Sequence, residues 1–257
     1  MAACAVVPAA KERRATADAL AAAQGWHMTA IPAGAFELAA WLPSHYVAAP
    51  DLTIYIEGDG LAWLSPDTPS TDPTPVAPLA LKLALAQADG NAVYLARPCQ
   101  YLANSNCSQR YWTDARFASE VIAAMNDAVD ALKRRSSARR LSLVGYSGGA
   151  AVAALLAARR SDVVRLVTVA GNLDHRAWTE FHRLTPLTGS LNPADDRAAL
   201  ARIPQWHFVG ARDAVVPPAL VRAFATGMPA AHVIELPGYD HHCCWAKNWA
   251  TLWREVR

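Results

Sequence analysis

The stretch LSLVGYSGGAAVAALLAARR, residues 141–160, is the one whose reading decides the fold. Leu141 to Val144 have strand character and run into Gly145-Tyr146-Ser147-Gly148-Gly149, after which an Ala/Leu-rich segment has the composition of a helix. Glycine and serine also build ordinary strand-to-helix junctions, where glycine turns the chain and serine caps the helix. What the five residues add is Gly-x-Ser-x-Gly in a strand, turn, helix context, which is the requirement of a nucleophile elbow. Its glycines remove Cβ atoms where strand and helix come close. The Ser147 Oγ is then left to project above the sheet, beside the N–H groups of the helix start.

Outward from this junction, apolar runs alternate with helix-period segments from end to end, the pattern of an α/β fold. Strands are predicted at Trp26 to Ile31, Phe36 to Leu42, Leu52 to Ile56, Ala92 to Ala96, Leu141 to Val144, Val164 to Val169, Gln205 to Val209 and His232 to Leu236. Helices are predicted at Pro78 to Gln87, Asp114 to Arg134, Gly148 to Arg160, Pro218 to Thr226 and Ala246 to Val256. The first two strands form a hairpin, whereas helices intervene after the third. Pro66 to Pro78 reads as a surface loop, and residues 175–203 form a connection too long for a plain turn. Trp245, Trp249 and Trp253 recur at helical spacing and mark one packed face.

The 257 residues, 53% of them hydrophobic, suit a single three-layer domain with a substantial core. With 24 basic against 22 acidic residues there is no electrostatic footprint for nucleic acid. The basic runs Lys133-Arg134-Arg135, Arg139-Arg140 and Arg159-Arg160 fall near predicted helix ends, where cations are favoured. No apolar run approaches the roughly 18 residues of a membrane span.

The order of motifs resembles the α/β-hydrolase superfamily of serine esterases and lipases, over nearly the whole chain. The resemblance implies a mostly parallel central sheet of about eight strands with an antiparallel N-terminal strand, helices on both faces, and a short lid at residues 175–203. It also implies a triad in the order Ser, Asp, His. After the strand ending at Val209, Gly210-Ala211-Arg212-Asp213-Ala214-Val215-Val216-Pro217 matches the acid loop and nominates Asp213; after Leu236, Pro237-Gly238-Tyr239-Asp240-His241 matches the histidine loop and nominates His241. Their rivals are Asp174 and Asp240 for the acid and His242 for the base. The turn Ile56-Glu57-Gly58-Asp59-Gly60-Leu61 sits where the family carries its His-Gly oxyanion loop, with Glu57 in place of the histidine. Gly148 is expected to give one oxyanion N–H and Asp59 or Gly60 the other, although the turn also reads as a plain tight turn. Tyr146, Leu61, Trp63 and Trp178 are the candidate substrate contacts, with Phe181, His182, Leu187, Tyr111 and Trp112 as further wall residues.

The activity so implied is hydrolysis of a small-molecule carboxylic ester through an acyl-enzyme on Ser147. Thioesterase, peptidase and acyltransferase chemistry use the same machinery, and a non-catalytic binding protein of this fold is the alternative from another class. No cofactor is required. His241-His242-Cys243-Cys244 are consecutive and do not all converge on one tetrahedral ion, so no metal site is assigned.

Five cysteines remain to be read. Met1-Ala2-Ala3-Cys4 resembles the lipobox of bacterial lipoproteins, without the charged and apolar regions of a signal peptide ahead of it. A lipid anchor at Cys4, with a periplasmic or membrane-anchored location, is therefore expected only from a longer precursor; otherwise the location is cytoplasmic. Cys99, Cys107, Cys243 and Cys244 allow three pairings. The favoured one joins Cys99 to Cys107 across a polar loop and leaves a vicinal Cys243-Cys244 pair, strained if bridged; pairing needs an oxidising compartment, and a reducing one leaves four free thiols.

Overall fold

The computed structural model describes residues 7–256, so the Cys4 expectation lies outside the described residues. Eight strands form one sheet: β1 (Trp26–Ala33), β2 (Phe36–Pro43), β3 (Asp51–Ile56), β4 (Asn91–Leu95), β5 (Arg140–Tyr146), β6 (Val163–Val169), β7 (Gln205–Gly210) and β8 (Ala231–Leu236). Their spatial order is β1-β2-β4-β3-β5-β6-β7-β8. β2 pairs antiparallel with both β1 and β4, while the remaining pairs are parallel. The strand running against the others is thus the second of the N-terminal hairpin. All eight predicted strands enter this sheet, each end within two residues of its predicted place.

The central strands are buried along nearly their whole length because helices cover both faces. Every residue of β4 and all but Arg140 of β5 are buried, as expected for parallel strands without a solvent face. One face carries α3 (Ser119–Ser136), α4 (Gly148–Arg159), the short α6 (Arg197–Leu200) and α7 (Pro218–Ala225), and the other carries α1 (Ala10–Ala22), α2 (Leu79–Leu85) and α8 (Trp245–Leu252). Trp245 and Trp249 of α8 are fully buried and Trp253, in the turn that follows, nearly so, which bears out the tryptophan face. The Trp249 indole N–H donates to the Tyr55 hydroxyl at 2.8 Å, so its polar handle is satisfied inside the core.

Four local expectations change. α1 was not foreseen, because its buried stripe is only Arg13, Ala17 and Ala21, too small to stand out as apolar periodicity. The Pro66 to Pro78 loop is shorter than expected, since Thr68–Pro69 pairs with Trp63–Ser65 in a small hairpin. α3 begins at Ser119 instead of Asp114: the Ala115 N–H is taken by the Arg110 carbonyl in a turn, and the Arg116 carbonyl accepts from the Arg97 guanidinium. After Leu252 the last helix tightens to a 3₁₀ turn over Trp253–Glu255. Cys99 is joined to Cys107, and Cys243 to Cys244. Among the described residues, no helix is long and apolar enough to cross a membrane.

Candidate active site

Ser147 sits between β5 and α4 with φ 51° and ψ −121°, a left-handed backbone that a non-glycine residue adopts only when its surroundings impose it. They do so through three hydrogen bonds. The Ser147 N–H donates to the Val169 carbonyl at 3.0 Å, and its own carbonyl accepts from Ala150 and Asn172, both at 3.1 Å. The start of α4 packs so closely on the end of β3 that a Cβ at Gly149 would overlap the Ile56 and Glu57 carbonyls.

The loops after β7 and β8 carry the acid and the histidine. They are stitched together by main-chain bonds from Ala211 to Leu236 and from Arg212 to Tyr239. His241 Nε2 lies 3.0 Å from Ser147 Oγ, and His241 Nδ1 lies 2.9 Å from Asp213 Oδ2. Because an ionised carboxylate only accepts, Nδ1 carries the proton and Nε2 is free to accept from Oγ–H. The other Asp213 oxygen accepts from the Val215 and Val216 N–H groups, each at 2.8 Å, so the carboxylate is aimed as well as buried. The structure thus brings Ser147, His241 and Asp213 into one hydrogen-bonded file.

The rivals are occupied elsewhere. Asp174 caps α5 (His175–His182) and accepts from Asn192. Asp240 accepts the N–H groups of His242 and Cys243, making the turn that presents His241. His242 Nδ1 pairs at 3.1 Å with the Tyr146 hydroxyl, which also donates to the His241 carbonyl.

The turn after β3 lies directly on the elbow, since a Cβ at Gly148 would overlap the Asp59 carboxylate. The Gly58 N–H is taken by Glu57 Oε1 at 3.0 Å and the Leu61 N–H by the Pro73 carbonyl at 3.1 Å. Among the described residues, the N–H groups between them, Asp59 and Gly60, have no such partner. Gly148 opens α4, where first-turn N–H groups have no acceptor within the helix. Asp59 itself is gripped by Arg116 at 2.6 Å and Arg97 at 3.2 Å. Burial alone would raise its carboxyl, but the two guanidiniums outweigh burial and hold it below the usual carboxylate range. This arginine pair was missed from the sequence; the only local signal was Arg97 beginning the loop after β4.

A cavity of about 420 Å³ opens over Ser147 and His241. All four candidate contacts, Leu61, Trp63, Tyr146 and Trp178, line it, together with Arg116 and Val215, which were not foreseen. Trp63, Arg116 and Trp178 also border a second, more apolar cavity of about 350 Å³ closed by Leu184 and Leu187. α5 is held over this region by the Trp178 indole N–H, which donates to the Val215 carbonyl at 2.7 Å. Phe181 is instead exposed, and Tyr111 and Trp112 border a small separate cavity behind Asp59.

Strand order, elbow and helix-covered sheet define the α/β-hydrolase fold. Solved structures agree: a serine hydrolase homologue from Coxiella burnetii is 15% identical with a TM-score of 0.59, covering 90% of this chain and 95% of its own. Est1E from Butyrivibrio proteoclasticus is 13% identical with a TM-score of 0.59, covering 89% and 98%. An esterase from Pyrococcus furiosus is 14% identical with a TM-score of 0.60, covering 90% and 89%. A search of curated proteins gives no significant match. The model of the family described as Serine hydrolase (FSH1) matches residues 74–249, more than half of the chain, and the protein belongs to that family. It is a serine hydrolase.

Proposed function

We propose that this serine hydrolase cleaves carboxylic esters of small molecules, with Ser147 as nucleophile, His241 as base and then acid, and Asp213 as the group that orients and supports His241. The observation that carries this reading is the file Ser147 Oγ, His241 Nε2, His241 Nδ1, Asp213 Oδ2, with separations of 3.0 and 2.9 Å. As Oγ attacks the ester carbonyl, its proton passes to Nε2, and the charge on the carbonyl oxygen is met by the N–H groups of Gly148 and of Asp59 or Gly60. Collapse expels the alcohol, which takes the proton from His241. Water, activated by the same histidine, then releases the acid.

The apolar annex beside the triad cavity supports substrates with one hydrocarbon arm, because Trp63, Trp178, Leu184 and Leu187 offer that arm surface to bury. Each buried methylene contributes about 0.8 kcal/mol. Turnover of p-nitrophenyl esters of graded chain length tests the assignment. The expected result is kcat/KM rising from acetate to hexanoate in the parent and abolished in Ser147→Ala. Substantial hydrolysis by Ser147→Ala would sink the nucleophile, and a flat chain-length series would sink the annex.

A further inference from the structure

The turn that lies on Ser147 begins with a buried acid. Glu57 is 1% exposed, and its Oε1 accepts from the Gly58 N–H at 3.0 Å and from the Ala80 N–H of α2 at 3.5 Å. Its Oε2 has no hydrogen-bond partner, and near the carboxyl lies the Tyr94 hydroxyl on β4, beside the Tyr101 hydroxyl of the following loop, both hydroxyls buried and unsatisfied. The remaining neighbours bring no counter-charge. From β5 comes Tyr146, from α4 the backbone at Gly149, and from α2 the buried Leu79, Ala80 and Leu81. The site's two guanidiniums, Arg97 and Arg116, are bound to Asp59 on the same turn. Among the described residues, none forms an ion pair with Glu57.

An ionised Glu57 would be a buried anion without a cation, close to where the tetrahedral oxyanion develops, and both features are costly. A neutral acid fits the surroundings better, donating from Oε2–H to the Tyr94 hydroxyl while Oε1 keeps the Gly58 N–H. Burial acts in the same direction and pushes the carboxyl up to about 7.

We propose that Glu57 is a positioning residue, whose neutral carboxyl fixes the Gly58 peptide and thereby aims the Asp59 and Gly60 N–H groups at the oxyanion formed on Ser147. The far end of the turn is already pinned by the Leu61 N–H on Pro73, and the Gly58 carbonyl by the Gln100 amide at 2.9 Å. Removing the Glu57 acceptor releases the Glu57–Gly58 peptide at the start of the turn and leaves the next peptide, which carries the Asp59 N–H, held only through its carbonyl by Gln100. Glu57 borders the cavity but is only 1% exposed and offers substrate almost no surface, so the loss falls on the transition state and not on substrate binding. This inference rests on Ser147 being the nucleophile.

The test compares Glu57→Ala, Glu57→Gln and Ser147→Ala in steady-state hydrolysis of p-nitrophenyl butyrate. Glu57→Ala is expected to lower kcat about 10- to 100-fold, less than outright loss of an oxyanion donor, with KM unchanged within about twofold. Glu57→Gln is expected to restore kcat to within about threefold of the parent, because the amide reproduces the neutral acid's acceptor and donor. Where Glu57→Ala does not fold, Glu57→Met, of similar volume and without the acceptor, takes its place. Parental kcat in the Ala or Met variant, a loss confined to KM, or a Gln variant as impaired as the Ala variant would each overturn the proposal. Undiminished hydrolysis in Ser147→Ala would overturn the nucleophile assignment instead, independently of any Glu57 result.

Discussion

The two loops that meet at the Ser147 hydroxyl are built on different principles. The elbow is held by the two strands and the helix that flank it, through backbone bonds from Val169, Ala150 and Asn172 and through glycines that let α4 press on β3. The turn after β3, which the proposed mechanism uses as its oxyanion turn, is held by side chains arriving from elsewhere: Arg97 and Arg116 reach Asp59 across 38 and 57 residues of sequence, and a buried Glu57 ties its first peptide. A backbone-held loop puts its reactive side chain at no risk to the fold. A loop held by buried charges couples activity to stability, because each charge left without its partner has a desolvation cost.

That contrast can be broken by substitution. Asp213→Asn is expected to lower kcat by about 10³- to 10⁴-fold, because the amide favours the wrong tautomer of His241 while the fold stays intact. Thermal denaturation should show little change. A Tm collapse alongside the lost activity would place the triad with the charge-held loop and erase the distinction.

Asp59→Ala should behave oppositely. It leaves Arg97 and Arg116, both more than nine-tenths buried, without a counter-ion, and breaking such a pair costs about 3 kcal/mol. Urea denaturation would register this as a lower midpoint with an unchanged slope. Stability equal to the parent would mean that the arginines do not need Asp59 and that the turn is held by its backbone after all.

A subtler difference is expected in the pH dependence of stability. The Glu57 carboxyl is pushed up to about 7 by burial, from 4.5 in the free chain. The folded state therefore holds this proton more tightly than the unfolded state does. Its contribution is complete below about pH 4.5 and is lost as the pH rises through about 7. Glu57→Gln removes that titration, so its stability relative to the parent should improve steadily from pH 4.5 to pH 8, as urea midpoints at each pH would show. A constant difference between the two proteins contradicts the assignment of a buried neutral acid.

His207, on β7 within the core, supplies a control of opposite sign. Burial pushes its imidazole down to about 3 from 6.5, with the Thr168 hydroxyl 2.9 Å from Nδ1. Its neutral form contributes fully above about pH 6.5, and the contribution is lost as the pH falls toward 3. Replacing it with Gln should flatten that acid decline, which between about pH 4.5 and 6.5 runs opposite to the Glu57 titration. The change should stand out least of the four against its background, since the general protonation of carboxylates dominates acid unfolding.

The same contrast explains what was legible in the sequence. The elbow is readable because its chemistry is local: a strand, a glycine-flanked serine and a helix follow one another in the chain, and Asp213 and His241 lie in short loops behind their own strands. The central strands are readable because nearly continuous apolar runs have one physical use in a sheet covered on both faces. The Asp59–Arg97–Arg116 cluster is unreadable, because no spacing rule connects a turn after β3 to guanidiniums far along the chain. Glu57 was visible only as a departure from the family pattern; its burial, which gives it meaning, is a property of the packed molecule. α1 escaped because alanines flanking one buried arginine carry no apolar stripe.

The central claim is that Ser147 is activated by His241 held on Asp213. Covalent labelling with a fluorophosphonate, read by intact mass and peptide mapping, tests it most directly. The account predicts one adduct per chain, on Ser147, absent in Ser147→Ala and formed far more slowly in His241→Ala. An adduct on another residue, or labelling of the parent no faster than of His241→Ala, would contradict it.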